Sequence, residues 1–224
     1  MLHASVIDIS FIHYHQIKMV FGDIIGLHGI EHFSLDLVNP AGEMLFFSST
    51  PQHAFEICSQ GLAEYDGIIC PEYYKNFEFY WWNEAILNKV HSEKIRKIRE
   101  ERLGLRYGFM LVRKWNDFYL IYSFATKKFD QNFQSHVINR INLFLQIGDY
   151  AYSNMRETYQ LYCGNYESPV IEKFYTFQGG KPPDRYTENH SFTNELKNKI
   201  EPCSNERPDN IIIVDFNRKS HILS

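Results

Sequence analysis

Apolar positions in the first fifty residues follow two different periods. Between residues 9 and 28 they recur three and four apart, at Phe11, Tyr14, Ile17, Phe21 and Ile24. That spacing predicts an amphipathic helix. Residues 33–38 alternate instead, which is the period of a strand. The turn sequence NPAG at 39–42 then leads to a second run at 44–49, so the two runs are predicted to pair as a hairpin.

A short helix is predicted to begin at Pro51, because proline is favoured at the first helical position. Residues 63–83 form an aromatic-rich segment with no clear period, and they are predicted to be irregular. Residues 84–103 predict a helix that ends in a strongly charged run. Opposite charges three and four residues apart favour a solvated face there, although a basic surface for an acidic partner is the alternative.

The pattern then repeats, with a second hairpin and a long helix. The predicted strands are 109–114 and 118–126, and the helix is 130–159. Two hairpins can join into one antiparallel sheet with helices on both faces. The fold class predicted is therefore α+β, a three-layer α-β-α sandwich with a central antiparallel sheet, formed by residues 1–159.

The last part of the chain differs in character. Residues 160–224 are polar and interrupted by Gly and Pro, with strand-like runs at 170–177 and 211–216. They predict a polar tail or a small lobe. In the helix before them, Phe133, Ile141 and Leu145 are expected to form an exposed apolar stripe on which a second copy of the chain can pack.

Composition and charge exclude several classes of protein. The net charge is −4, whereas a dedicated nucleic-acid binder usually shows a basic footprint. No run of about 18 apolar residues and no basic, then apolar, leader is present, so neither a membrane span nor a signal peptide is predicted. The four cysteines form no C-x-x-C pair, and we expect a cytoplasmic protein with reduced thiols.

Three stretches together resemble a known family. They are SSTPQHAFEICSQGLAEYD, FYWWNEA and EERLGLRYGFML. In their order and spacing they resemble the autoinducer-binding domain of LuxR-type quorum-sensing regulators, over about residues 10–155. This resemblance implies a sandwich of the PAS/GAF type, a role in bacterial signalling and dimerisation through a terminal helix.

The resemblance also implies where a ligand would bind. In that family an acyl-homoserine lactone lies between the sheet and one helical layer. A Trp and a Tyr on the short helix, and an Asp shortly after it, hydrogen-bond its polar head. Asp66 matches this Asp, with Gly67 where the family usually has Pro, whereas Ala54, Phe55 and Cys58 lie where the Trp and Tyr fall. The family's DNA-binding helix-turn-helix has no counterpart in the proline-interrupted residues 160–224, so no nucleic-acid binding is predicted.

The candidate ligand-binding residues are mostly aromatic. Aromatic residues make up 16% of the chain, and they line a pocket or fill the core. Asp66 is either an acceptor for a ligand amide or a turn former before Gly67. The set predicted to bind ligand is Phe47, Phe55, Tyr65, Asp66, Tyr73, Trp81 and Trp82.

No catalytic residue, metal site or cofactor is predicted. His13 and His15 point about 200° apart on a helix, so they do not share a face as metal ligands must. Cys58 and Cys70 are thiols without a nucleophile motif around them, and no phosphate-binding glycine loop is present.

The sequence therefore predicts a ligand-binding signalling module of the LuxR type that lacks DNA binding and acts through a protein partner. Its expected ligand is small and apolar or amphipathic, and a homodimer is one form the partner can take. The alternative is a pure protein-interaction module, such as a bacterial effector or an antagonist that heterodimerises with a regulator. A cavity lined by Phe47, Tyr65 and Trp82 favours the first, and a filled interior with an exposed apolar patch favours the second.

Overall fold

A five-stranded antiparallel sheet forms the centre of the molecule. The computed structural model describes residues 6–128 and 131–171. The strands are β1 His32–Val38, β2 Met44–Ser48, β3 Phe79–Trp81, β4 Tyr107–Trp115 and β5 Phe118–Thr126. Their order in the sheet is β2-β1-β5-β4-β3. The two predicted hairpins therefore join through β1 and β5, and the α+β fold class is confirmed.

One face of the sheet, which we call the α7 face, is covered by four helices. They are α1 Val6–Ile12, α2 Tyr14–Gly22, α6 Gln131–Asn139 and α7 Ile141–Tyr162. Alternate strand residues such as Phe33, Phe109 and Phe124 pack beneath them and are fully buried. Burial of these rings removes apolar area from water on this side of the sheet and so stabilises the fold.

Helix α7 is fixed to the sheet by a buried polar group as well as by apolar contacts. Asp149 is fully buried, and its carboxylate accepts hydrogen bonds from Arg113 at 2.7 Å and from Tyr122 at 2.8 Å. Gly148 lies directly over the Tyr122 ring, where an added Cβ would come within 2.2 Å of the ring carbon Cδ2. Helix and strand therefore approach more closely than any other residue at 148 allows.

The opposite face, which we call the α5 face, is covered by shorter elements. They are α3 Pro51–Ser59, α4 Pro71–Tyr74 and α5 Lys89–Lys97, which continues as a π-helical turn at Ile98–Arg102. Asn88 caps α5, because its side chain accepts hydrogen bonds from the amides of Val90 and His91. The predicted helix 84–103 therefore begins several residues later than its hydrophobic pattern indicated.

Two further expectations on secondary structure and one on exposure need correction. The irregular segment 63–83 contains α4 and the edge strand β3. The helix predicted at 130–159 is broken at Arg140 into α6 and α7. The stripe that was expected to be exposed faces inward. Phe133 is 8% exposed, and Ile141 and Leu145 are partly buried against the core. The apolar side of this helix therefore packs against the core of the same chain rather than against a second copy.

After α7 the chain turns back along the helix. Arg156 donates to the carbonyl oxygens of Ser168 and Pro169, and the Tyr152 hydroxyl donates to the carbonyl of Pro169 at 2.8 Å. The runs predicted at 170–177 and 211–216 lie, apart from residues 170 and 171, outside the described residues. Within 6–128 and 131–171, no helix has the length and apolar content needed to cross a membrane.

Candidate functional site

The adjacent tryptophans lie on opposite faces of the sheet. Residues 79–81 form strand β3, and successive side chains along a strand point to opposite sides. Trp81 packs against Phe79 and Phe109 in the core of the α7 face. Trp82 lies on the α5 face, with its indole NH 3.1 Å from the hydroxyl of Ser123.

Trp82 lies flat across the neighbouring strand because residue 108 is glycine. A Cβ at Gly108 would lie 2.2 Å from Cδ2 of the indole. The backbone of Trp82 is held in place as well, since its amide donates to the Gly108 carbonyl at 2.9 Å. Glycine at this position therefore lets the indole form a flat apolar surface against the sheet.

Arg99 covers that surface and forms the centre of a buried polar cluster. Its guanidinium lies 4.6 Å from the centre of the Trp82 ring, within the range of a cation–π contact. Nη2 donates to both carboxylate oxygens of Asp66, at 2.7 and 2.8 Å, and Nε donates to Nε2 of His53 at 3.0 Å. Arg99, Asp66 and His53 are 7%, 5% and 7% exposed, so this ion pair is shielded from water.

His53 and His32, the two buried histidines near Arg99, are neutral. Burial, then the charge of Arg99, then His32 hold the pKa of His53 well below its usual range. Burial and the charge of Arg99 lower the pKa of His32 to about 3. A neutral His53 has a free lone pair on Nε2, which is what the hydrogen bond from Arg99 requires.

A cleft of about 370 Å³ opens above this cluster. It is bounded by four segments of the chain, 65–67, 81–86, 89–100 and 105–108, so it lies between the edge of the sheet and helix α5. Trp82, Asp66 and Arg99 are among its lining residues. Its size is within the lower range of sites that hold small organic molecules.

The rim of the cleft is charged and partly ordered. Arg96 pairs with Glu93 and with Glu100, each at 2.6 Å. Tyr65 stacks on His91 with ring centres 3.7 Å apart. These contacts lie along the exposed wall that α5 forms.

The structure brings together four of the seven residues predicted to bind ligand. Tyr65, Asp66, Trp81 and Trp82 border the cleft, although the ring of Trp81 packs into the core of the α7 face. Tyr73 lies behind it, where its hydroxyl donates to the carbonyl of Glu84 and accepts from the amide of Ile86. Tyr73 therefore supports the loop rather than facing the cleft.

The other two predicted residues lie elsewhere. Phe47 is fully buried on the α7 face against Tyr159, with the sheet between it and the cleft. Phe55 is 49% exposed on α3. The side of α3 that turns inward carries His53 and Ile57, four residues apart, so the phase of this helix differs from the one expected.

Four residues of the cluster were missed in the sequence, namely His53, Arg99, Gly108 and Ser123. The charged run that contains Arg99 predicts a solvated helix face instead. The apolar positions Ile95 and Ile98 on the same helix mark the buried side, and Arg99 is four residues after Ile95. That spacing was the available signal for an inward arginine.

A second buried carboxyl lies deeper on the α5 face. Asp36 in β1 is 3% exposed, between Phe46 of β2 and Ile121 of β5 in the register of the sheet. Burial, and then the charge of Asp66, raise the pKa of Asp36 to about 8. This carboxyl is therefore mostly protonated at neutral pH.

The structure also describes the Cys58 thiol, a candidate nucleophile, and the side chains that could bind a metal ion. Burial, followed by the charge of Asp66, raises the pKa of Cys58 to about 11, so its thiol is neutral and a weak nucleophile. Among the residues that the structure describes, no three His, Cys, Asp or Glu side chains are grouped as a metal ion requires.

Comparison with known proteins gives matches among solved structures. No family model and no curated protein matches the sequence. The structure of SdiA in complex with octanoyl-rac-glycerol is similar at 15% identity, with a TM-score of 0.47, over 73% of this chain and 66% of that one. Escherichia coli SdiA in another crystal form is similar at 13% identity, with a TM-score of 0.43, over 82% of this chain and 78% of that one.

This chain spans slightly less than two thirds of the length of the first SdiA structure.

Proposed function

We propose that this protein is a ligand-binding signalling module that holds a small amphipathic molecule in the cleft beside α5. The observation that carries this proposal is the floor of the cleft, where the Trp82 indole and the Arg99–Asp66 pair lie side by side. A flat apolar surface next to a buried charged group suits a ligand with an apolar body and a polar end.

Ligand binding would be transmitted to a protein partner through α5. The helix forms one wall of the cleft, and its outer side is exposed at Val90, Lys94 and Lys97. A ligand that contacts the wall stabilises one position of the helix, and a partner that prefers that position then binds more tightly.

A pure protein-interaction module is the second candidate, and one observation favours it. Phe11, Ile12 and Met19 on α1 and α2 are 71%, 71% and 74% exposed. Large apolar side chains exposed together mark surfaces that bind other proteins. Of the three residues named for a ligand cavity, Tyr65 and Trp82 line the cleft and Phe47 does not.

Native mass spectrometry on the full chain purified from its own source separates the two candidates. The paired variants are Ile86→Trp and Val90→Trp, which add the same ring at two exposed positions. Ile86 lines the cleft and Val90 does not. We expect a small bound mass on the wild type and on Val90→Trp, and its loss from Ile86→Trp.

A wild-type protein that carries no small molecule, and whose melting temperature is unchanged by extracts of its source, would contradict the ligand proposal. A bound mass that Ile86→Trp retains would place the ligand outside this cleft. In the first case the exposed face of α1 and α2 becomes the leading functional surface, and capture of a protein partner that Met19→Lys abolishes would establish it.

A further inference from the structure

The carboxylates that line the cleft already have partners. Asp66 accepts from Arg99 with both oxygens, and Oδ1 also accepts from the amide of Ile68. Glu93 and Glu100 both pair with Arg96. All three carboxylates are therefore already engaged by arginine side chains.

The cationic groups of the cleft, in contrast, include donors without a partner among the described residues. Nε and Nη2 of Arg99 are used by His53 and Asp66, and Nη1 makes no hydrogen bond within residues 6–128 and 131–171. Arg99 is more than nine-tenths buried and still lines the cleft. Lys89 and Arg106 also line it, and neither forms an ion pair in the described part of the chain. The cleft therefore offers hydrogen-bond donors that have no partner.

The residues that line the cleft also have a net positive charge. The lining residues include four cations, Lys89, Arg96, Arg99 and Arg106, and three anions, Asp66, Glu93 and Glu100. The charge of Asp66 is neutralised by Arg99 at hydrogen-bond distance. An incoming anion thus meets a site with a net positive charge, although the whole chain is acidic.

The remaining wall is apolar. It is formed by Tyr65, Trp82, Ile86, Ile95 and Leu105. Such a wall removes hydrocarbon from water, and it also strengthens a charge-assisted hydrogen bond by lowering the local dielectric constant.

We propose that the ligand is a small carboxylic acid with an apolar body. Its carboxylate accepts from Nη1 of Arg99, with Lys89 and Arg106 as further cations, and its hydrocarbon packs against Trp82. This inference rests on the proposed function, since it specifies the ligand class of the same cleft. Arginine suits the role because its charge persists at every physiological pH and its nitrogens can serve two acceptors at once.

Isothermal titration calorimetry with matched probes tests this inference on the full chain. The probes are straight-chain acids from hexanoate to dodecanoate, each below its micelle concentration, and the methyl ester of each acid. The ester keeps the hydrocarbon and a carbonyl acceptor but loses the charge. We expect the best acid to bind at least about tenfold more tightly than its ester, the size of effect that a charge-assisted hydrogen bond produces.

Two double variants, equal in charge change, locate the effect. Lys89→Met with Arg106→Met removes two cations that line the cleft, and Lys94→Met with Arg102→Met removes two from the same region that do not line it. All four positions avoid the buried Arg99–Asp66 pair. We expect the first variant to lose about tenfold in affinity for the acid and to keep its affinity for the ester. The second variant should bind both probes like the wild type.

Equal affinity for acid and ester would overturn the inference and leave the proposed function standing. So would an equal loss in the two double variants, because the charge would then act from the general surface. Absence of binding by every probe would also overturn it, and the mass of the ligand carried from the source would then show independently whether the cleft is a ligand site.

Discussion

Both oxygens of Asp66 accept hydrogen bonds from Arg99, at 2.7 and 2.8 Å. The resemblance to LuxR-type regulators implies that this carboxylate would hydrogen-bond the polar head of an acyl-homoserine lactone. Here the guanidinium of Arg99, in the π-helical turn that continues α5, pairs with the carboxylate instead. The pair is buried, so removal of one partner leaves a charge without compensation in a medium of low dielectric constant.

The pair gives a prediction for stability. Asp66→Asn should lower the free energy of unfolding by about 3–5 kcal/mol, because Arg99 would remain charged and unpaired. Asp66→Asn combined with Arg99→Met should recover most of that loss, since it removes both charges. Urea denaturation measures both variants. A double variant as unstable as the single one would show that the pair is not the source of the effect.

Asp36 gives a prediction for pH dependence. Its pKa is raised from 3.8 to about 8, so the folded protein holds a proton that the unfolded chain releases. The stability that this bound proton contributes to the folded protein is therefore complete below pH 3.8. It is lost progressively as the pH rises to about 8. Asp36→Asn cannot release that proton. Relative to wild type, its stability should improve with pH by up to about 1.4 kcal/mol per unit and level off above pH 8.

Denaturation midpoints of both proteins from pH 4 to pH 9 test this. The neutral His32 and His53 are present in both proteins, so their contribution cancels in the difference. A constant difference across the whole range would contradict a protonated Asp36.

At this scale the sequence predicts some of the site and misses the rest for identifiable reasons. Asp66, Tyr65 and Trp82 were predicted from their place in recognisable motifs. Arg99 was missed because its charge argued for solvent, and its partner Asp66 is 33 residues away in sequence. A contact over that distance leaves no local pattern.

At the scale of elements, helix α7 and strand β5 approach each other closely at Gly148. Gly148 faces the Tyr122 ring, and the Tyr122 hydroxyl donates to Asp149 on the next position of the helix. The contact is at once steric and polar, so a side chain at 148 disturbs both.

The prediction at the element scale is that Gly148→Ala destabilises the protein by about 1–3 kcal/mol, because the new methyl group overpacks the interface. Gly22→Ala in α2 is the matched control, since nothing lies within 4 Å of a Cβ there. Thermal unfolding followed by circular dichroism compares the two variants. If both variants shift the melting temperature equally, helix propensity and not overpacking explains the change.

The hairpins and the helix at Pro51 were predictable because a period of two or a proline start is a local signal. Strand β3 was missed because it has three residues, all buried, which is too short for alternation to appear. The two tryptophans are explained only once this strand is known. Their opposite directions are a consequence of its pleat.

For the whole molecule, the two faces of one sheet have different chemistry. The α7 face is filled with rings such as Phe33, Phe109 and Phe124. The α5 face carries buried polar groups, including His32, Asp36 and Ser123, and the cleft opens at its edge. Within the described part of the chain this second face brings buried charge and the cleft together, and the proposed ligand site lies there.

Amide hydrogen exchange, with and without any small molecule recovered from the protein purified from its own source, tests this proposal most directly. We predict slower exchange on ligand binding in the four segments that bound the cleft, 65–67, 81–86, 89–100 and 105–108, and unchanged exchange in α1, α2 and α7. Slower exchange confined to the exposed face of α1 and α2, or no change in any segment, would contradict it.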